Sequence, residues 1–271
     1  MNKEKIKKAS DILYDSRIKM NRISNLPNDC VPQSKEDAYA IQENLIKNYI
    51  SNDKNISSIG KKIGCTNKEA QKQINITEPF YGTILSKYAL KNNSTINVEN
   101  FFEPYIEPEF SFKLNKDIDI SMAPYSPPFP FSLNEIYESI DSIIPSLEIV
   151  DSRFDNWTNV GVNNLIADNG ANAFWIQGDE KKNIDKYNLT DHSVSVYFND
   201  KLIKEGNSAM VLENPLNSLT WLINTLVMQG KKIPKNSYIS TGTCTPAIPF
   251  NRGINISADF YSLGKVSIEI I

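Results

Sequence analysis

Two stretches constrain the fold more than any other part of the chain. From Tyr105 to Leu114 the residue types alternate almost without a break. Ile106, Pro108, Phe110, Phe112 and Leu114 fall on one side, and Tyr105, Glu107, Glu109, Ser111 and Lys113 on the other. A period of two belongs to a β-strand. The segment is therefore expected to lay its apolar side on a core. Pro108 cannot donate to a ladder, which predicts an edge position or a bulge. Ile143 to Val150 is almost wholly apolar apart from Glu148, and Ser146–Asp151 reads as a buried strand. Strands of this kind need a large core. A chain of 271 residues with 40% apolar content can supply it.

The rest of the chain arranges itself around these strands. Residues 1–50 read as helical. Lys3 to Asn21 carries Ile6, Ala9, Ile12 and Leu13 at helical spacing, Pro27 and Asn28 break the chain, and Ser34 with Asp37 resembles a capping box. Ala38, Ile41, Leu45 and Tyr49 then share one face. From Ile56 onward short strands dominate, the first over Ser57–Gly64. The Pro- and Ser-rich stretch 117–130 reads as a loop, and Asn134–Ile144 as a short helix. Val194, Val196 and Phe198 alternate into a turn at Asn199-Asp200. Asn214-Pro215 starts a helix that Gly230 stops. The C-terminal alternation of Ile254, Ile256 and Ala258 with Val266, Ile268 and Ile270 is a hairpin. The expected class is α+β, not a βαβ nucleotide fold. The expected organisation is an N-terminal helical part, 1–55, followed by a β-rich catalytic domain, 56–271, the two countable as one domain.

Composition narrows the chemistry. A net charge of −3 argues against a dedicated nucleic-acid binder. No apolar run approaches the length of a membrane helix. The Lys-rich N-terminus lacks the apolar segment of a signal peptide. Cys30, Cys65 and Cys244 form neither a disulfide framework nor a CxxC site, so a reducing cytoplasm is the expected location. His192 is the single histidine, and it is expected at an exposed strand edge. Histidine-rich zinc sites are thereby excluded. A catalytic metal would need carboxylates, whose oxygens favour Mg²⁺, Mn²⁺ or Ca²⁺.

Three carboxylates fit that need. Glu107 and Glu109 share a strand face, roughly 7 Å apart at Cα, close enough to converge on one cation. The alternative is a solvent face with two charges. Glu148 stands in an apolar run, where a charge must be paired or metal-bound; the alternatives are an exposed strand end or a buried salt bridge. Together the three would make a facial oxygen site with open positions. Lys62 shares its strand face with Gly60 and Gly64, which clears room for a ligand beside the ammonium. An ordinary surface lysine is the alternative. Lys61 is expected on the opposite face in a structural role.

At this point the residues resemble a known family. Gly60-Lys61-Lys62-Ile63-Gly64-Cys65-Thr66 is similar to a GYKIGLTS segment of the 2-oxopent-4-enoate hydratase and 4-oxalocrotonate decarboxylase group, within the fumarylacetoacetate hydrolase superfamily. Asp37–Gln42, Ile106–Glu109, Leu147–Arg153, Ile166–Asn169, Asn214–Asn217 and Thr241-Gly242 match further motifs of that group, in order along nearly the whole chain.

The resemblance implies a mixed β-roll core with an N-terminal helical part, and homo-oligomers. It implies Mg²⁺ or Mn²⁺ held by Glu107, Glu109 and Glu148, with Lys62 beside the substrate carboxylate or acting as acid/base. The implied reaction is a metal-dependent lyase step on 2-oxo or 2-hydroxydienoic acids through a stabilised enolate, a hydratase first and a decarboxylase as the alternative. A related hydratase, decarboxylase or aldolase is a possible partner. Several positions depart from the family. Phe80 stands where the hydratases carry an acid; Glu78, two residues earlier, is a candidate substitute, and Asp168 is another candidate acid/base. Asn214 replaces a His, and Lys61 a Tyr. The early His–Glu pair of the hydrolases is missing. Phe80 also opens the reading of a weakly active homologue serving as a structural partner. Thr241, Gly242 and Thr243 are candidate substrate-binding residues, and a nucleophilic cysteine at Cys65 or Cys244 has no base to support it.

Overall fold

A computed structural model describes residues 1–124 and 129–271. Two helices come first, α1 (Lys3–Ile18) and α2 (Lys35–Asn52), then β1 (Ser58–Gly64), α3 (Lys68–Gln73), β2 (Phe80–Leu85), β3 (Ala89–Lys91), β4 (Ser94–Ile96) and β5 (Tyr105–Leu114). The middle of the chain holds α4 (Leu133–Tyr137), β6 (Ile140–Val150), α5 (Val162–Ala167) and β7 (Asn172–Gln177). The last part holds β8 (Ser193–Phe198), β9 (Lys201–Asn207), α6 (Pro215–Met228), β10 (Tyr238–Thr243), β11 (Ile248–Pro249), β12 (Ile254–Asp259) and β13 (Lys265–Ile270).

The strands form two sheets. The larger runs β2-β1-β10-β5-β6-β7-β3, with β11 also paired to β5; the smaller runs β4-β13-β12-β8-β9. The long antiparallel pair β5–β6 is the centre of the larger sheet and sets Glu107 directly opposite Glu148. The parallel pair β1–β10 brings Lys62 opposite Ser240. The apolar side of β5, Ile106, Phe110, Phe112 and Leu114, is fully buried, with Val266 and Ile268 of the smaller sheet in the same core. The observed class is the expected mixed α+β fold.

Local physics explains the elements. Asn2 and Ser34 cap α1 and α2 with side-chain oxygens. Asn214 caps α6, accepting from the Leu216 amide at 2.9 Å, with Pro215 at the first helical position. Asn199 and Asp200 both take positive φ, as a tight turn between β8 and β9 requires.

Three local expectations change. β5 is central rather than an edge. The Pro108 carbonyl accepts from the Cys244 amide at 2.9 Å, so its missing N–H faces that same side. There β10 shifts register between Ser240 and Thr243, so the bulge reading is the right one. The helix expected over Asn134–Ile144 ends at Tyr137, and β6 already begins at Ile140. The run of β-branched and apolar residues that both readings share is long enough to cross the sheet, and pairing with β5 and β7 decides in favour of strand. Four residues of the loop expected over 117–130, Tyr125–Pro128, lie outside the described residues. No helix among the described residues is long and apolar enough to cross a membrane.

The N-terminal helices cover one end of the larger sheet. Ala9, Leu13, Ile41 and Leu45 pack with Leu85, Phe154 and Ala167 in a core of their own. Gln42 ties α2 to the sheet, donating to the carbonyls of Tyr81 at 2.9 Å and Ile166 at 2.8 Å. Arg17 donates to the Ala173 carbonyl at 3.0 Å and lies over the Tyr88 ring.

Candidate metal centre and active site

The polar side of β5 faces a different world from its apolar side. Glu107, Glu109 and Glu148 offer oxygens that all lie within 4.8 Å of one another. Glu109 and Glu148 are fully buried, and Glu107 is half-buried at the wall of a cavity of about 300 Å³. One oxygen of each buried carboxylate is fixed. Ser240 Oγ and the Gly242 amide donate to Glu109 Oε2. Asn172 Nδ2 donates to Glu148 Oε1 at 2.8 Å. The other oxygens, Glu109 Oε1 and Glu148 Oε2, are buried with no partner. Buried carboxylate oxygens left unpaired are costly. Two of them converging beside a third carboxylate make a donor set that fits a hard divalent cation.

Lys62 completes the cluster. Its Nζ lies 3.2 Å from Glu148 Oε1, buried, with the Phe80 ring centroid 5.8 Å away. Gly170 lies against it, for a Cβ there would stand 2.9 Å from Lys62 Cε. Burial and mutual repulsion push the Glu107 carboxyl up to about 7, and Glu109 well above its ordinary value. Against the cost of burial, the neighbouring carboxylates hold the Lys62 ammonium above its usual pKa.

The other expected site residues spread out. Asp168 is buried away from the cavity wall. It accepts from Ser152 Oγ at 2.8 Å, from the Arg153 amide at 3.0 Å and from the Arg153 side chain, so both its oxygens serve Arg153 and its surroundings. Of the Thr241–Thr243 turn, only Thr243 lines the cavity. Thr241 Oγ1 donates to the Phe110 carbonyl at 2.7 Å, and the Gly242 amide is spent on Glu109. Gly242 is required there, with φ +109° and Thr66 Oγ1 1.9 Å from where a Cβ would stand. Glu78 is exposed and pairs with Lys35 at the surface, so it does not stand in for an acid at Phe80. Lys61 points to the other face, where its Nζ donates to Thr83 Oγ1 at 2.7 Å. Cys65 lines the cavity, but burial pushes its thiol up to about 12, far from a thiolate. Cys244 is buried outside it.

His192 departs from its expected exposed position. It is buried, its Nε2 donates to the Phe260 carbonyl at 2.6 Å, and its ring meets Phe110 edge-on. Its polar neighbours Asp191 and Ser193 suggested exposure, whereas tertiary packing takes the ring inward.

Several contributors escaped the sequence reading. Ser240 and Asn172 orient the carboxylates, and nothing short of the β5–β10 and β6–β7 registers reveals them. Tyr105 and Trp157 form an aromatic wall, centroids 5.9 Å apart. Asn169, Gly170 and Ala171 take φ of +55°, +63° and +57°, a left-handed turn that carries the backbone under Lys62.

Comparison with known proteins follows from this geometry. No family model matches the chain. A 2-oxo-hept-4-ene-1,7-dioate hydratase of Escherichia coli is 31% identical over 241 residues, covering 87% of this chain and 86% of that protein. A 4-oxalocrotonate decarboxylase of Pseudomonas putida is 25% identical over 271 residues, 100% of this chain and 98% of its own. Among solved structures, 4-oxalocrotonate decarboxylase from Pseudomonas putida G7, complexed with magnesium and adipate, superposes with a TM-score of 0.90 at 25% identity, covering 100% of this chain and 99% of that one. Fumarylpyruvate hydrolase from Pseudomonas aeruginosa, in complex with Mn²⁺ and pyruvate, shares the fold, with a TM-score of 0.59 at 10% identity over 78% of this chain and 88% of its own.

Proposed function

The chain belongs to the family of 2-keto-4-pentenoate hydratases and 4-oxalocrotonate decarboxylases in the fumarylacetoacetate hydrolase superfamily, and we propose that it is a Mg²⁺- or Mn²⁺-dependent lyase of 2-oxo acids, a hydratase of 2-hydroxydienoates first. One observation carries this reading: two orphaned carboxylate oxygens and a third carboxylate converge beside a buried lysine at a cavity wall.

Glu107, Glu109 and Glu148 would hold the cation. When bound, it supplies Lewis-acid stabilisation of a developing enolate oxygen. The chain's own part is positioning. Ser240, Gly242 and Asn172 fix the carboxylates before any ligand arrives, so little reorganisation is needed. Lys62, held by Glu148 and covered by Phe80, presents one ammonium to the anionic head of the substrate. The ring of Phe80 keeps water off that side of the lysine and can move no proton. Phe80 therefore favours a second reading, a decarboxylase, which needs no proton donor at that position.

Titration of metal-stripped protein with Mg²⁺ and Mn²⁺ by calorimetry, with and without oxalate as an enolate mimic, tests the site. Metal-dependent oxalate binding is expected, with turnover of 2-hydroxypenta-2,4-dienoate. Glu107→Gln and Glu148→Gln should each lower metal affinity by at least about tenfold and abolish turnover. Survival of activity in both variants would overturn the reading. Release of CO₂ from 2-oxohex-3-enedioate without hydration would favour the decarboxylase. We also propose a homo-oligomer, with or without a related enzyme of the same reaction sequence. Exposed Phe129, Leu133 and Met228 beside Trp221 support an apolar contact, and light scattering reads the mass directly.

A further inference from the structure

The cavity is chemically uneven. At one end stand Glu107 and Lys62, the latter 3.2 Å from Glu148. The rest of the wall is apolar and aromatic, with Ile74, Phe80, Tyr105, Val150, Trp157 and Leu165 as its main surfaces. Among the described lining residues the only cation is Lys62, and its partner is already a carboxylate. Besides Lys62 and Glu107, the one charge among the described lining residues is negative, the exposed Glu69 in the first turn of α3. The remaining polar groups are neutral, and Asn67 Oδ1 is occupied in accepting from the Ala70 amide at 2.8 Å.

A substrate whose 2-oxo-carboxylate head sits at the metal end must lay its tail along this wall. A second carboxylate there would lose its water to apolar surface, meet no ammonium or guanidinium, and face Glu69. Burying a charge without a partner is strongly unfavourable. An alkyl or alkenyl tail meets the opposite situation, because the wall gains by covering it. We propose that this site selects 2-oxo acids with an uncharged, apolar tail and discriminates against dicarboxylic ones. The inference rests on the metal-dependent reading of the head group.

The consequence reaches the reaction. Loss of CO₂ from the far end of a 2-oxo acid requires a second carboxylate there, whereas water can add to either kind of acid. A tail without one has nothing to lose at that end. What remains is the addition of water across the conjugated double bond, hydroxyl to one carbon and proton to the other, with no change in overall oxidation state. An apolar tail thus favours the hydratase over the decarboxylase, on grounds independent of Phe80.

The test compares two ligands with one head group, 2-oxopentanoate and 2-oxohexanedioate, titrated into the full chain with saturating Mg²⁺. Trp157 in the wall supplies a fluorescence signal and calorimetry a second. The monocarboxylate is expected to bind at least about tenfold more tightly. Glu69→Lys should narrow that ratio by strengthening the dicarboxylate alone. Equal or tighter binding of the dicarboxylate by the unaltered chain, with Mg²⁺-dependent binding of both, would overturn the tail assignment and leave the metal site standing. Binding of neither, with or without Mg²⁺, would overturn the head-group reading and this inference with it.

Discussion

Glu107 titrates in a range where its state can be set at will. Its carboxyl is pushed up to about 7 from an ordinary 4.5 by burial and by Glu148, against the pull of Lys62. A raised folded pKa means the folded chain holds more protons than the unfolded chain between those values. The stabilising contribution is complete below about 4.5 and is lost as pH rises through about 7. Metal-free protein should therefore lose stability from this group between pH 5 and 8, and bound metal should restore it. The Tm increase on adding Mg²⁺ is expected to be larger at pH 8 than at pH 6, because below 7 the cation must displace a proton. Scanning calorimetry at both pH values checks it, and an equal increase at both would mean the carboxyl is already ionised. Asp168 belongs to a different class. Its oxygens hold Arg153, whose guanidinium also reaches the carbonyls of Asp151 and Asn172 at 3.1 Å each. Asp168→Asn leaves a buried cation short of its counter-charge, and should cost about 3–5 kcal/mol in urea unfolding. A proton-transfer role would instead show as lost turnover with stability kept.

The turn that follows α5 is the element on which the site depends most. Asn169 clips β2, accepting from the Thr83 amide at 2.7 Å and donating to the Thr83 carbonyl at 2.9 Å. Three consecutive left-handed residues then bring Gly170 under Lys62. Such backbone persists for non-glycine residues only where the surroundings hold it. Gly170→Ala adds a Cβ at φ +63° within 2.9 Å of Lys62 Cε and 3.1 Å of Phe80. The conformational cost is about 1–2 kcal/mol. The larger effect should fall on function, because the lysine stem must shift. Mg²⁺-dependent oxalate binding is expected to weaken while a cooperative unfolding transition remains; unchanged binding would show that the turn does not set the lysine. This element also shows what a sequence leaves hidden. The acids of β5 were legible because a period of two places Glu107 and Glu109 on one face whatever else the chain does. The turn was not, because left-handed φ at an Asn and an Ala is imposed from outside the segment. Ser240 and Asn172 were invisible for a related reason, since their roles come from strand registers set by residues far away in the chain.

At the scale of the molecule, the class and both ends of the chain follow from local pattern, the helices by apolar spacing and caps, the C-terminal hairpin by alternation. The start of β6 and the burial of His192 did not, because pairing and packing override the local signals there. The division at residue 55 is the expectation most open to test. The core of α1 and α2 is completed by Leu85, Phe154 and Ala167 from the β-rich part. Ala38 of α2 packs with Phe80 and Ile166. Gln42 satisfies two carbonyls of that part, and Tyr39 accepts from the Tyr81 amide at 3.2 Å. Deleting 1–55 would expose Leu85, Phe154 and Phe80 at about 2 kcal/mol for each large side chain. It would also strip the partners of the Tyr81 and Ile166 backbone at about 1 kcal/mol each. Losses of that size approach the whole stability of an ordinary domain. The fragment 56–271 is therefore expected to lack a cooperative unfolding transition and to bind no oxalate with Mg²⁺. The losses should run together, because Phe80 and the turn beneath Lys62 both lean on elements that α2 covers. A fragment that unfolds cooperatively and keeps Mg²⁺-dependent oxalate binding would make the β-rich part an independent domain, with the helices an appendage to it.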